Sequence, residues 1–312
     1  MKVMAVVNPH SANGRTLRRW PVIKVLLKKA FVDFAHEFTS APMDAAVIAR
    51  RAIEHGYDVI LSVGGDGTLN EVINGFLQNG KPVNKDAALG VISTGTGADF
   101  IKTIGFPKAG ASSPGEVNKV IEKLSEFKTI RCDAGIVYFR NHNGKDSSRH
   151  FINIADFGIG GETVDRVNRT TKVFGGFVSF LFGSIVTVLN YKGKKVWLKI
   201  DGADYGEKTI NSVIVANGKY FGGGMMVAPQ AEIGDGLFDV FIVGDISKKK
   251  ILKYGRLIYT GAHINLPEVN YLRGKIIEAD SSEKVLLDID GEQPGRLPAR
   301  FEIIPSALKI IA

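Results

Sequence analysis

The stretch SVGGDGTLNEVINGF (residues 62–76) sets three glycines, Gly64, Gly65 and Gly67, around one acid, Asp66. Before it, residues 57–63 form a near-continuous apolar run, the pattern of a strand buried on both faces of a parallel sheet. After it, Leu69, Val72, Ile73, Phe76 and Leu77 fall at i, i+3, i+4, i+7 and i+8, an amphipathic helix. A turn between a strand end and a helix start lies at the crevice where open α/β sheets bind ligands. Glycines let backbone N–H groups converge there, and with a helix N-terminus they make an anion site. The stretch therefore reads as a phosphate cradle, with a plain strand-to-helix turn as the alternative. Two familiar phosphate motifs fail. GxxxxGK[ST] is absent, because Gly14-Arg15-Thr16 follows Pro9 rather than a glycine, and GGDGTLN misses GxGxxG because Asn70 takes the last position.

The same alternation runs outward. MKVMAVVNP is a strand and loop ending at Asn8-Pro9, followed by a basic helix over 18–30. HEFTS (36–40) is a short strand, 43–54 a helix with Ala45, Ala46, Ile48, Ala49 and Ile53 apolar, and 88–92 another strand. This order predicts a doubly wound α/β domain. After about residue 130 short strand-like runs take over, at 133–139, 151–154, 195–200, 212–216, 237–243, 275–278 and 285–289. Such runs with glycine-rich turns predict a β-sandwich-like second domain. One helix is expected at 251–259, and the final run, 301–311, is read as returning to the first domain.

The chain has 312 residues, 45% hydrophobic and 23% charged, the balance of a soluble globular protein with room for substantial cores. Its net charge of +8 is divided evenly along the chain, which suits anionic ligands or an anionic membrane surface. No RNA-recognition signature or aromatic-basic interleaving is present, so nucleic acid is not an expected partner. The histidines show no zinc-ligand spacing. The single cysteine, Cys132, forms no internal disulfide and reads as a buried structural residue. MKVMAVVNPH is too short an apolar run for a signal peptide, and the expected location is cytoplasmic, with membrane association admitted. The run VFGGFVSFLFGSIVTVLN (173–190) carries no charge over 18 residues, the lower edge of spanning length. Its glycines, Ser179, Ser184, Thr187 and Asn190 favour a buried or substrate-facing helix, and a membrane-touching helix that admits a lipid stays open.

SVGGDGTLNEV resembles the GGDGT motif of the diacylglycerol kinase catalytic domain family, which includes bacterial diacylglycerol and YegS-like lipid kinases and is related to sphingosine and ceramide kinases. Further segments match in the family's order. NPHSANGR (8–15) looks like its first loop, ISTGTGADF (92–100) like its second phosphate-side loop, and NIADFGIGGE (153–162) like its N-x-x-x-x-G-x-x-A segment. ANGKYFGGGMMVAPQAEIGDGLFDV (216–240), TGAHINLPEV (260–269) and DIDGEQ (288–293) resemble its remaining elements. The resemblance covers nearly the whole chain. It implies an α/β N-terminal domain of the NAD kinase/diacylglycerol kinase type and a mainly β C-terminal sandwich. The division is expected at 1–130 with 303–312 for the nucleotide-binding domain, and 131–302 for the lipid-substrate domain.

The resemblance also implies site residues. ATP phosphates are expected on Gly65, Asp66, Gly67, Thr68, Leu69, Asn70 and Glu71, mostly through backbone groups. Further nucleotide contacts are expected from Asn8, Pro9, His10, Ser11 and Ala12, from Thr39, and from Thr96. Asp66 and Asp99 are placed to hold the catalytic magnesium, a hard ion that typically uses one or two carboxylates plus phosphates. Glu292 matches the general base that takes the lipid hydroxyl proton, and few other catalytic side chains are needed, since phosphoryl transfer depends on positioning and charge neutralisation. Glu232, Asp235 and the carbonyl of Leu237 match a second, structural magnesium of some bacterial members, where an ordinary β-turn at 234–236 is the alternative. One residue departs from the pattern: Ala98 stands where the family commonly has Asn, which removes an amide beside Asp99. The expectation is an ATP- and Mg-dependent kinase acting on a diacylglycerol-like or sphingoid-like lipid, with peripheral membrane contact and a homodimer admitted. An NAD kinase-like enzyme and a non-catalytic nucleotide- or lipid-binding regulator are the alternatives.

Overall fold

The structure is a computed structural model that describes residues 1–95, 97–109, 114–170 and 186–312. It divides into two compact units, Met1–Ala134 with Ile304–Ala312, and Gly135–Ile303.

The first unit alternates strand and helix: β1 (Lys2–Val7), α1 (Ser11–Ala30), β2 (Asp33–Phe38), α2 (Asp44–Glu54), β3 (Val59–Gly64) and α3 (Asp66–Phe76). A small hairpin, β4 (Leu77–Gln78) and β5 (Lys81–Pro82), leads to β6 (Ala88–Ser93), α4 (Asp99–Thr103) and α5 (Pro114–Ser125). The strands β2-β1-β3-β6 are all parallel in that order. Parallel neighbours need crossovers, and the helices supply them. β3 is buried at every position, as its unbroken apolar run requires. Leu69, Val72, Ile73 and Phe76 bury one face of α3. In α1, Ala12, Asn13 and Gly14 have φ of 53°, 56° and 73°, so the regular helix starts only after Gly14. The sequence reading places no element at α5, yet its stripe of Val117, Val120, Ile121 and Leu124 is buried at i, i+3, i+4 and i+7.

The second unit holds most of β7 (Thr129–Asn141), then β8 (Asp146–Phe151), β9 (Ile154–Gly158), α6 (Ile159–Thr170), the helical residues 186–190 (α7), β10 (Lys194–Ile200) and β11 (Ala203–Ala216). A hairpin of β12 (Tyr220–Phe221) and β13 (Met225–Met226) follows, then β14 (Phe238–Gly244), α8 (Lys248–Tyr254), β15 (Val269–Gly274), β16 (Ile276–Asp280), β17 (Leu287–Ile289) and β18 (Gly295–Ile311). The long β11 pairs antiparallel with β10 through its first half, and with β14 and β9 through its second. Period-two alternation sorts β9 between two cores. Ala155 and Phe157 join Phe151, Phe238 and Phe301, where ring centroids lie 5.5 Å apart for Phe151–Phe238 and 5.9 Å for Phe157–Phe301. Ile154 joins Ile214, Phe241 and Val227. From Ile304 the last strand belongs to the first unit, where Lys309 and Ile310 pair parallel with Ala88 and Leu89 of β6.

α6 is a further helix, at residues where the sequence reading places no element. Of the apolar run 173–190, residues 173–185 lie outside the described residues. Among the described residues, no helix is long and apolar enough to cross a membrane.

Candidate active site

In the first unit β1, β3 and β6 are neighbours, so the loops leaving their carboxyl ends lie side by side. The first loop is locked by Asn8. Its backbone N–H bonds Val63 O at 3.0 Å, its side-chain Nδ2 donates to Thr68 Oγ1 at 3.1 Å, and its Oδ1 accepts the N–H groups of His10 and Ser11 at 3.0 and 3.2 Å. Thr94, after β6, donates its N–H to Gly64 O at 2.8 Å, and its hydroxyl lies 2.5 Å from that of Thr16. Thr39 donates its N–H to Val7 O at 2.9 Å. Each tie joins one loop to the next.

Asp66 is the first residue of α3, and its carboxylate binds the β6 loop. It accepts the N–H of Ala98 on Oδ2 at 3.0 Å and that of Asp99 on Oδ1 at 3.2 Å. Gly97 makes this approach possible: a Cβ there would sit 2.7 Å from Asp66 Oδ2 and 3.5 Å from Asp99 Oδ2. The two carboxylates thus face the same point. Beside them, Gly65 meets nothing within 4 Å of where a Cβ would be. Helix geometry also leaves the first-turn N–H groups of Gly67 and Thr68 without intrahelical carbonyls. The arrangement is two adjacent carboxylates next to an open helix N-terminus, which fits a divalent cation shared with a phosphate.

Not every residue of the expected cradle faces it. The N–H of Leu69 bonds Gly65 O at 3.1 Å within the helix, and its side chain is core. Asn70 is wholly buried and accepts Asn74 Nδ2 on its backbone carbonyl at 2.8 Å, while Glu71 Oε2 accepts the N–H of Ala45 at the start of α2. Pro9 is half-buried and His10 exposed, in the turn that precedes the left-handed Ala12. Thr96 lies outside the described residues.

Two lysines that sequence reasoning did not assign to the carboxylates act around them. Lys102 Nζ lies 3.1 Å from Asp99 Oδ1. Lys108 is held below the usual lysine range, first by burial and then by repulsion from Lys102, while Asp66 and Asp99 pull it upward and Arg15 down. The available signal was Lys102 itself, three residues after Asp99, one helical turn on. Arg19 Nη1 donates to Ala109 O at 3.0 Å.

In the second unit Glu292 is placed by a two-residue turn. Asp290 and Gly291 have φ of 50° and 87°, and Ile289 and Glu292 exchange N–H···O bonds of 2.8 and 3.0 Å, a type I′ hairpin. Asp290 anchors the turn, accepting the N–H groups of Ile152, Asn153 and Ile154 at 3.0, 3.1 and 3.0 Å. Asn153 Nδ2 donates to Tyr220 O at 2.7 Å, and Asn217 Nδ2 to Ile152 O at 2.6 Å. Glu292 itself is exposed.

In the Glu232–Leu237 stretch Asp235 holds two bonds. Asp235 Oδ1 accepts the N–H of Leu237 at 3.0 Å, and Oδ2 pairs with the guanidinium of Arg273. A cation there would have to compete with that guanidinium for Asp235, and the ordinary turn accounts for the bonds described. Cys132 is buried and its thiol donates to Asp133 O at 3.1 Å. His263 is buried, with Nε2 on Val227 O at 3.1 Å.

Comparison with known proteins matches residues 2–135 to the diacylglycerol kinase catalytic domain and 153–312 to the YegS C-terminal NAD kinase beta sandwich-like domain. The chain is 28% identical over 297 residues to a diacylglycerol kinase of Staphylococcus carnosus (strain TM300), covering 95% of this chain and 90% of the relative. It is 28% identical over 299 residues to a diacylglycerol kinase of Bacillus subtilis (strain 168), with 95% and 91% covered. A crystal structure of a diacylglycerol kinase from Bacillus anthracis str. Sterne superposes with a TM-score of 0.71 at 22% identity, covering 99% of this chain and 96% of that one. Yeast NADH kinase complexed with NADH shares the fold with a TM-score of 0.54 at 13% identity, over 99% and 82%. An α/β unit built round a GGDGT turn, followed by a β-sandwich unit that ends in a DGE hairpin, belongs to the diacylglycerol kinase and YegS-like family, and the chain is a phosphotransferase with an alcohol acceptor.

Proposed function

We propose that this kinase moves the γ-phosphoryl group of ATP to a hydroxyl of a diacylglycerol-like or sphingoid-like lipid, with magnesium. The observation that carries the reading is the convergence of Asp66 and Asp99 on Gly97, beside the open start of α3. Those two carboxylates are the residues to hold magnesium, which would draw charge from the phosphate oxygens when bound. The N–H groups of Gly67 and Thr68 bind phosphate oxygens, and Lys102, Lys108 and Arg15 add positive charge. The loops carrying Asn8, Pro9, His10, Ser11, Ala12, Thr39 and Thr96 bound the nucleotide. Glu292 accepts the proton of the lipid hydroxyl, whose oxygen then bonds to the γ-phosphorus as the bond to the β-γ bridging oxygen breaks and ADP departs.

The test is transfer from radiolabelled ATP with magnesium to a mixed lipid extract, run beside a soluble-metabolite mixture containing NAD. Label in the organic phase supports the lipid reading and identifies the acceptor by mass. Label confined to aqueous products moves the reading to an NAD kinase-like enzyme. A folded, ATP-binding sample that transfers to neither favours a regulator.

A further inference from the structure

Beneath the turn that presents Glu292 lies a pair of buried acids that the reaction as described does not use. Asp156 of β9 and Asp288 of β17 are direct partners across an antiparallel ladder, so their side chains stand on one face at neighbouring positions. They are 1% and 6% exposed. Asp288 Oδ1 accepts the N–H of Gly291, inside the turn, at 2.7 Å. Asp156 Oδ1 is buried with no hydrogen-bond partner. The first turn of α6 closes over it: a Cβ at Gly160 would lie 2.1 Å from Oδ1 and 2.3 Å from Oδ2. The partner of Asp156 on the adjoining ladder is the buried Ile214 of β11.

We propose that Asp156 and Asp288 are positioning residues that share one proton, and that the singly protonated pair holds the turn on which Glu292 stands. Two ionised carboxylates at facing positions in an apolar site repel strongly. One proton removes that repulsion, gives the unpartnered Asp156 oxygen a donor role toward Asp288, and leaves Asp288 able to accept from Gly291. Titration agrees with this geometry. Burial pushes Asp156 up to about 7, against a bond from the Gly161 N–H that pulls it down. Burial, then Asp156, raise Asp288 well above the carboxylate range; Gly291 lowers it, and Asp290 and Glu292 raise it further. Among the described residues, Tyr191 also senses Asp156: it is raised by burial and then by Glu162, Asp156 and Glu283. Among the described residues, no lysine or arginine is a cause of either carboxyl's shift. A carboxyl raised in the folded state stabilises the fold fully below its unfolded pKa, and that stability is lost as pH rises through the folded value. Raising the pH past neutrality therefore ionises the pair and loosens the turn.

The inference rests on Glu292 as the base, so the test has one arm that does not need activity. Phosphorylation of a short-chain diacylglycerol in detergent micelles is measured from about pH 6 to 9, in the native chain and in Asp156→Asn and Asp288→Asn, with melting temperature followed over the same range. Either amide keeps the shape but cannot share a proton. The native rate is expected to fall about tenfold over the alkaline half of that range, and either variant less than about twofold, with melting curves that lose their pH slope in both variants. Equal pH slopes of melting in native and variant chains overturn the shared proton. Flattened melting with an unchanged activity profile overturns the positioning role. A fully active Glu292→Gln overturns the base instead, and the melting arm still decides the pair.

Discussion

Asp66 spends both carboxylate oxygens on the backbone of residues 98 and 99, yet its charge is what a magnesium-bound phosphate needs. Charge and scaffold separate under Asp66→Asn, which keeps one acceptor oxygen and removes the charge. Transfer is expected to fall by about 10²–10³, as when one electrostatic stabiliser is lost. Glu292→Gln is expected to cost about 10²–10⁴ in kcat, the range for a general base, while the exposed side chain leaves the chain folded. Near-native rates in either variant remove the role given to that residue. Ala98 is a different case. Its absence of an amide was legible in the sequence, but its φ of 56° was not. That left-handed conformation strains an alanine, whereas Asn tolerates it, a physical reason for an amide at this position. Ala98→Gly removes the Cβ strain and adds backbone entropy to the unfolded chain, a net stabilisation of roughly 0.5–1 kcal/mol in denaturant unfolding. A destabilised variant would mean that the buried methyl matters more than the strain.

Elements were legible where one period held and adjacent residues agreed. The β3–α3 junction announced itself, because an apolar run, a glycine turn and a helical stripe stand end to end. The Asp290-Gly291 pair was not read as a turn: Asp290 looked like a continuation of the strand that carries Asp288, yet it forms the type I′ turn after β17. α6 was hidden because it opens on Gly160 and Gly161, poor helix formers that sequence alone reads as turn. They are there for tertiary reasons: a Cβ at Gly161 would lie 2.3 Å from Leu286 O, so the helix start lies directly on β17's approach. The anchoring by Asp290 was invisible for a similar reason, since its three N–H partners lie more than 130 residues away. Asp290→Ala leaves those donors unpaired and frees the turn. Stability in denaturant is expected to drop by about 2–4 kcal/mol, and kcat to drop with it while KM for ATP stays within about twofold. An equal rise in KM for ATP would show that the damage is not local to the lipid-side turn.

At the scale of the molecule, the change in periodicity near residue 130 lies close to where the chain passes from one compact unit to the other, at Ala134–Gly135. What sequence cannot weigh is how much the first unit owes to the end of the chain. Its closing residues supply a fifth parallel strand beside β6, with Leu308, Ile310 and Ile311 all but fully buried. Ser306 also donates its N–H to Asp133 Oδ1 at 2.6 Å. Burying three large aliphatic side chains contributes roughly 5 kcal/mol or more, which is comparable to the whole stability of a domain. Cutting the chain after Ile303 is therefore expected to unfold the first unit selectively. The two tryptophans report it, since Trp20 is buried in the first unit and Trp197 belongs to the second. In a Trp197→Phe background the truncated chain should show solvent-exposed Trp20 emission at about 25 °C and rapid proteolysis within residues 1–134, because loss of that much stability leaves the unit mostly open. In a Trp20→Phe background the emission of Trp197 should match that of the full-length chain. Unchanged Trp20 emission would show that the four-stranded sheet folds without its fifth strand, and that the return of the chain serves only to tie the two units together.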